Sequence, residues 1–239
     1  MNLLAFDSTA KTASVALFCD GKLTAEFFAD SGKTHSEILL PMAENVCARA
    51  HVALSDIDYY AVTAGPGSFT GVRIGTATVK GLAFRLDEEP ASCVAVSTLE
   101  AIAQQLSPLD GIYVPVMDAR RHEVYNAVFT VKDGVLTRLS EDRAISLSAL
   151  GEELFTLYPH EHIYLAGDGY DVAKEALAAL PLDIAETPHA LRAQSAAAVG
   201  RCALRAIARG ETVTSTALAP TYLRLPQAER DRLAKEQQK

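Results

Sequence analysis

One order of elements is met twice along the chain, and that doubling restricts the fold more than any other feature. "LLAFDST", "SVALFCDG" and "KLTAEFFAD" read as three short antiparallel strands, the last two turning on Asp20-Gly21, a dipeptide suited to a tight hairpin. "THSEILLPMAENVCARA" follows with Ile38, Leu39, Met42 and Val46 at helical spacing, and Pro41 predicts a kink or a limit on its first turns. "YYAVTAG", "FTGVRIGTATVKGLAFRL", "CVAVS" and "TLEAIAQQL" then alternate strand and helix, the last helix capped by Ser97 or Thr98. The succession restarts at "GIYVPVMDA". "EVYNAVFTVKDGVLTRLS" supplies a second hairpin at Asp133-Gly134, followed by "SLSALGEELFTLY", "HIYLAG", "DVAKEALAAL", "LDIAE" and "SAAAVGRCALRAIARG". Two β-β-β-α-β-α-β-α units of α/β class result, each parallel where strands alternate with helices. No residue-by-residue repeat accompanies them.

Composition narrows the function. With 22 Lys plus Arg against 30 Asp plus Glu, the 239-residue chain carries a formal charge of −8, so as a whole it repels a phosphate backbone. If nucleic acid is met, a partner does the holding. Cys19, Cys47, Cys93 and Cys202 form no C-x-x-C pair, which speaks against a zinc ribbon or redox dithiol and for buried free thiols. The opening "MNLLAFDSTAK" has no basic leader and no apolar run approaches a membrane span, so a reducing cytoplasm is expected.

"AGPGSFTGVRIG", residues 64–75, invites a phosphate-loop reading and fails both standard patterns. Gly71 is followed by Val72 and Arg73, so the lysine and hydroxyl of G-x-x-x-x-G-K-[ST] are missing. Gly65, Gly67 and Gly71 are spaced one residue too long for a dinucleotide fingerprint. What remains is a Pro-Gly turn into a helix whose Gly71, Gly75 and Gly81 let another backbone come close.

The doubled unit resembles the actin-like ATPase superfamily, in which two lobes enclose a nucleotide cleft. That resemblance puts a phosphate loop at Asp7, Ser8 and Thr9, although the triplet in isolation reads first as a turn. "AGPGSFTGVRIG", with "THSEILLPM", "DARRHEVY" at 118–125 and "APTYLR" at 219–224, is similar to the bacterial TsaB (YeaZ) family over about nine tenths of the chain. The resemblance implies an actin-like fold with lobes at 1–110 and 111–226 and a polar tail at 227–239. It implies a non-catalytic scaffold for threonylcarbamoylation of the adenosine beside the anticodon, in transfer RNAs reading codons that begin with A. TsaD is then the partner in a heterodimer and TsaE joins a larger assembly; without TsaD a homodimer forms, and tRNA is met only through the complex. No cofactor and no metal are expected, Asp7, Ser8 and Thr9 being a vestigial phosphate loop. The first-lobe helices form the interface in this family. That makes His35, Ile38, Leu39, Met42, Val46, Phe69, Gly71, Arg73, Ile74, Gly75, Thr78 and Val79 interface candidates, with Gly75 and Ala77 admitting a partner helix. The competing reading of the apolar positions is that they face their own sheet.

Other classes read less well. Asp118 and His122 match the spacing of a metal-ligand pair in TsaD. "EVYNAVF" alternates as a strand, which would separate them, and Arg120 and Arg121 disfavour a cation. "GDG" at 167–169 is an adenosine-loop candidate or a plain turn. No glycine lies between Gly111 and Gly134, so the second phosphate loop lacks its usual material. An actin-like ATPase or kinase using Asp7 and Thr9 with magnesium is the alternative function. A zinc peptidase would need H-E-x-x-H, which is missing. The tail "PQAERDRLAKEQQK" reads as a solvated segment.

Overall fold

The computed structural model describes residues 1–84, 91–106 and 110–224. Both dipeptides expected to turn a hairpin do so with left-handed backbone at each residue, Asp20 and Gly21 at φ 49° and 76°, Asp133 and Gly134 at 52° and 74°. The first turn joins β2 (Ala13–Cys19) to β3 (Lys22–Ala29), and β1 (Asn2–Asp7) pairs antiparallel with β2. β4 (Tyr59–Gly65) and β5 (Ser92–Ser97) extend the other side in parallel, giving the order β3-β2-β1-β4-β5. Helices α1 (His35–Arg49), α2 (Phe69–Ala83) and α3 (Thr98–Leu106) connect them. α1 runs on through Pro41. α2 stops at Ala83 because Phe84 turns extended at ψ 123°, short of the end read at 86; residues 85 and 86 lie outside the described residues. Ser97 is the cap of α3, its hydroxyl accepting the Glu100 amide at 3.2 Å.

The second sheet repeats this order with interruptions. β6 (Gly111–Asp118) pairs antiparallel with β7 (Glu123–Asn126) and with β8 (Phe129–Lys132) in one unbroken register, Val116 opposite Asn126 and Tyr113 opposite Phe129. The ladder lapses around Pro115, which has no amide to donate, and the Asn126 side chain takes up the Pro115 carbonyl at 3.1 Å. β9 (Val135–Arg138) and β10 (Arg143–Ser146) continue the third strand, beside β8 and β7 respectively. After α4 (Leu147–Leu157), β11 (Ile163–Ala166), α5 (Tyr170–Leu177), the two-residue β12 (Ile184–Ala185) and α6 (Ala196–Ala208), the duplication is complete. "LDIAE" is thus a strand of only Ile184 and Ala185.

Both faces of each sheet are covered, as near-continuous apolar strands demand. In β1, Leu4 and Phe6 face α1 and α2, whereas Leu3 and Ala5 face α6. Leu99, Ile102, Ala103 and Leu106 of α3 pack on the opposite sheet, against Tyr113, Met117 and Phe129. α4 and α5 close its outer face through Leu150, Leu154, Ala173 and Leu177. The boundary at 110/111 separates the two sheets, but α3 and α6 are exchanged across it. The chain end also returns to the first sheet, where Val213 pairs with Cys93 and the Thr221 amide donates to the Ala64 carbonyl at 2.7 Å. Among the described residues no helix is long and apolar enough to cross a membrane. The proposed tail, residues 227–239, lies outside the described residues.

Candidate functional site

Asp7, at the end of β1, and Ser8 and Thr9 after it are 1%, 1% and 0% exposed. Asp7 spends both carboxylate oxygens on its own turn, accepting the Thr9 amide at 3.1 Å and the Thr9 hydroxyl at 3.1 and 3.2 Å. Burial holds its carboxyl above the ordinary carboxylate range, against the lowering pull of its hydroxyl and amide donors and of His35. The rest of the turn is occupied by the glycine stretch. The Ser8 hydroxyl donates to the Gly71 carbonyl at 2.9 Å, and the Ser68 amide donates to the Thr9 carbonyl at 2.7 Å.

The glycines explain how two backbones come this close. A β-carbon at Gly67 would sit 2.6 Å from the Thr9 carbonyl oxygen, one at Gly71 2.0 Å from that of Ser8, and one at Gly75 2.6 Å from the Ser8 hydroxyl. Gly67 additionally holds φ 155°. The start of α2, capped by the Ser68 hydroxyl, therefore fills the space over the first loop. Donors and acceptors that could face a phosphate are turned to the protein's own chain.

This changes the standing of several candidates. Leu39, Met42, Val46 and Val79 are core residues of the first lobe, and Gly71 and Gly75 are buried against Ser8, so none of the six presents itself to a partner. The sequence alone could not choose between the two occupants of an apolar helix face, and here it is the chain's own sheet. His35, Ile38, Phe69, Arg73, Ile74 and Thr78 keep exposed or partly exposed surface. On α2 they align with Thr70, Ala77 and Gly81 along one outward stripe, and a β-carbon at Gly81 would meet nothing within 4 Å. His35 bonds the Ala10 carbonyl through Nε2 at 2.8 Å, a local structural role.

A cleft of about 480 Å³ opens beside the filled loop, lined by Lys11, Phe69, Asp118, Arg120, Tyr222 and Arg224 among others. Its far wall is the β6–β7 turn, where Arg120, Arg121 and His122 are neither helix nor strand but three successive left-handed residues. Asp118 accepts the Arg120 amide at 2.7 Å and gives its own amide to Asp168 at 3.1 Å. Crowding by the cleft walls desolvates Asp168 and, with the Asp118 charge adding to it, pushes its carboxyl up to about 6. Gly167 and Gly169 carry this "GDG" turn tightly over β6, a β-carbon at Gly167 falling 2.1 Å from the Val116 carbonyl oxygen. Among the described residues no three His, Cys, Asp or Glu side chains converge as metal ligands.

Residues 221–224 form another wall of the cleft. The Tyr222 ring lies 4.9 Å from that of Phe69, the Arg73 guanidinium sits 3.9 Å over Phe69, and Arg73 Nε donates to the Tyr222 hydroxyl at 2.9 Å. Arg224 pairs at 2.7 Å with Glu123 of β7, in the second sheet. One short segment thus ties α2 to the β6–β7 turn.

A family model described as "TsaD: tRNA N6-adenosine threonylcarbamoyltransferase" matches residues 29–231. The tRNA threonylcarbamoyladenosine biosynthesis protein TsaB of Bacillus subtilis is 36% identical over 62% of this chain and 63% of its own length. That of Escherichia coli is 34% identical over 61% and 62%. A solved structure, YeaZ from Pseudomonas aeruginosa, superposes with TM-score 0.74 at 29% identity, covering 93% of this chain and 99% of that one. The chain belongs to the TsaD family, on its TsaB/YeaZ branch. It spans less than two thirds of the length of these two curated relatives. The fold is the one YeaZ has, with one order of elements met in both sheets. Of the residues that line the cleft, sequence reading passed over Lys11, Tyr222 and Arg224, and it met Asp168 only as part of "GDG". "APTYLR" was the signal for Tyr222 and Arg224, without indicating that they tie α2 to the β6–β7 turn.

Proposed function

We propose that the chain is the non-catalytic scaffold of tRNA threonylcarbamoylation, acting with TsaD as a heterodimer and with TsaE in a larger assembly in the cytoplasm, and self-associating when TsaD is missing. The observation that carries this reading is the first loop: Asp7, Ser8 and Thr9 are buried under the Ser68–Gly75 backbone. A magnesium nucleotide needs those groups free. The alternative, an actin-like ATPase or kinase, would have to withdraw the start of α2 before binding. Docking falls to the outward stripe of α2, where Thr70, Ala77, Thr78 and Gly81 leave little side chain between two helices and Arg73, stacked on Phe69 and Tyr222, offers an ordered anchor at its edge. Reconstituted tRNA modification tests the reading with two variants. As scaffold, Asp7→Asn, which keeps the shape of the buried turn, supports modification and Ala77→Arg does not. As ATPase, the reverse holds, with Asp7→Asn abolishing ATP turnover by the purified chain.

A further inference from the structure

Arg120, Arg121 and His122 hold φ 62°, 57° and 58° in succession. A left-handed residue with a β-carbon is uncommon and three in a row are costly, so the run persists because its surroundings impose it, a pattern that concentrates at functional sites. The restraints are visible. The Asp118 carboxylate holds the Arg120 amide at 2.7 Å, the Ala119 amide bonds the Glu123 carbonyl at 3.0 Å, and the Leu147 amide bonds the His122 carbonyl at 3.0 Å. From the chain end, Arg224 pairs with Glu123 at 2.7 Å.

What this turn presents is positive charge. All three side chains are exposed, and among the described residues neither Arg120 nor Arg121 has an ion-pair partner, while the amides of Arg121 and His122 donate to no acceptor. Of the neighbouring carboxylates only Glu123 is paired with a cation, Arg224; Asp118 and Asp168 accept backbone amides and keep their charge, so the positive excess is that of Arg120, Arg121 and Lys11 over these two. Lys11 joins Arg120 in the cleft wall. In a chain of net charge −8 this is a local cationic surface, built where two lobes meet.

We propose that the Arg120–His122 turn is where this subunit touches the sugar-phosphate backbone of RNA. The inference rests on the tRNA-modification reading above. A free nucleotide fits less well, because its phosphates would need the occupied first loop. Arg120 lines the cleft and Arg121 stands outside it, so a polyanion that repeats its charge serves both.

An Arg120→Gly/Arg121→Gly double variant removes both charges while relieving the left-handed backbone, so phosphate contact and a merely structural role predict opposite results. With the TsaD complex and a tRNA reading an A-initial codon, fluorescence anisotropy is expected to show affinity lowered about ten-fold. The slope of log affinity against log salt becomes shallower by about 1.5. Melting temperature holds or rises and the complex still assembles. Arg120→Lys/Arg121→Lys retains most of the affinity and the slope. Unchanged affinity and salt slope in the glycine variant, with the complex intact, would overturn the proposal, as would loss of stability without loss of RNA affinity. A wild-type complex that binds no tRNA would instead bring down the tRNA-modification reading, and this inference with it.

Discussion

Ser8 donates its hydroxyl proton to the carbonyl of Gly71 across 2.9 Å, and a β-carbon at Gly71 would lie 2.0 Å from the Ser8 carbonyl oxygen. Residues 63 positions apart are thus pressed backbone to backbone over the turn that the resemblance to actin-like ATPases reads as a phosphate loop. Gly71→Ala forces these segments apart and is expected to destabilise the fold by about 3 kcal/mol in urea unfolding. Gly81→Ala, in the same helix but facing open space, is expected to raise stability by up to about 1 kcal/mol. Equal effects at the two sites would remove the close-approach argument.

Asp168 supplies a pH dependence. Its carboxyl is raised to about 6 from an ordinary value of 3.8, mainly by desolvation between the cleft walls although the residue keeps exposed surface, so the folded state holds the proton more tightly than the unfolded chain. This group favours folding below about pH 4, and its contribution is lost progressively as pH rises through 6. Asp168→Asn should therefore gain stability relative to wild type between pH 4 and 6 and hold that gain above. Carbon-detected NMR titration of the Asp168 carboxyl checks the value directly, and a midpoint near 4 would contradict it.

The strap across the cleft is expected to be an energetic link. Tyr222→Ala removes the ring contact with Phe69 and the hydroxyl that holds Arg73, and should cost about 2 kcal/mol although Tyr222 is 42% exposed. Tyr222→Phe keeps the stack and should cost under about 1 kcal/mol. Paired thermal melts separate the two.

Thiol chemistry follows burial. Cys47 and Cys93 are pushed up to about 11 and Cys202 to about 12, all by desolvation, which keeps them protonated and poorly nucleophilic at neutral pH. In a timed reaction of the native chain with Ellman's reagent, Cys19, half-buried, should react first and Cys202 only on unfolding.

Local chemistry made much of the fold legible. Asp20-Gly21 and Asp133-Gly134 announced their hairpins because few dipeptides accept two left-handed residues, and Ser97 announced a helix start. The interruption of the second sheet was less visible, since only Pro115, an amide missing from a central strand, marks it. Gly71 and Gly75 signalled a close approach correctly, but spacing names no occupant, and the occupant proved to be Ser8 rather than a partner helix. The β6–β7 turn was hidden because turn reading leans on glycine, and Arg120, Arg121 and His122 adopt its conformation without one. Asp168 stood in a plain "GDG", and only the cleft around it gives its carboxyl a distinct chemistry.

Light scattering coupled to size exclusion tests the scaffold account most directly, on the chain alone and mixed with a TsaD from the same organism, for wild type and for Ala77→Arg. Ala77 lies exposed on the α2 stripe, so this variant alters docking without entering the core. The account predicts a homodimer that converts to a heterodimer with TsaD, both lost in Ala77→Arg while its melting temperature is kept. A wild-type chain that stays monomeric in the presence of TsaD, or a variant that assembles normally, would contradict it.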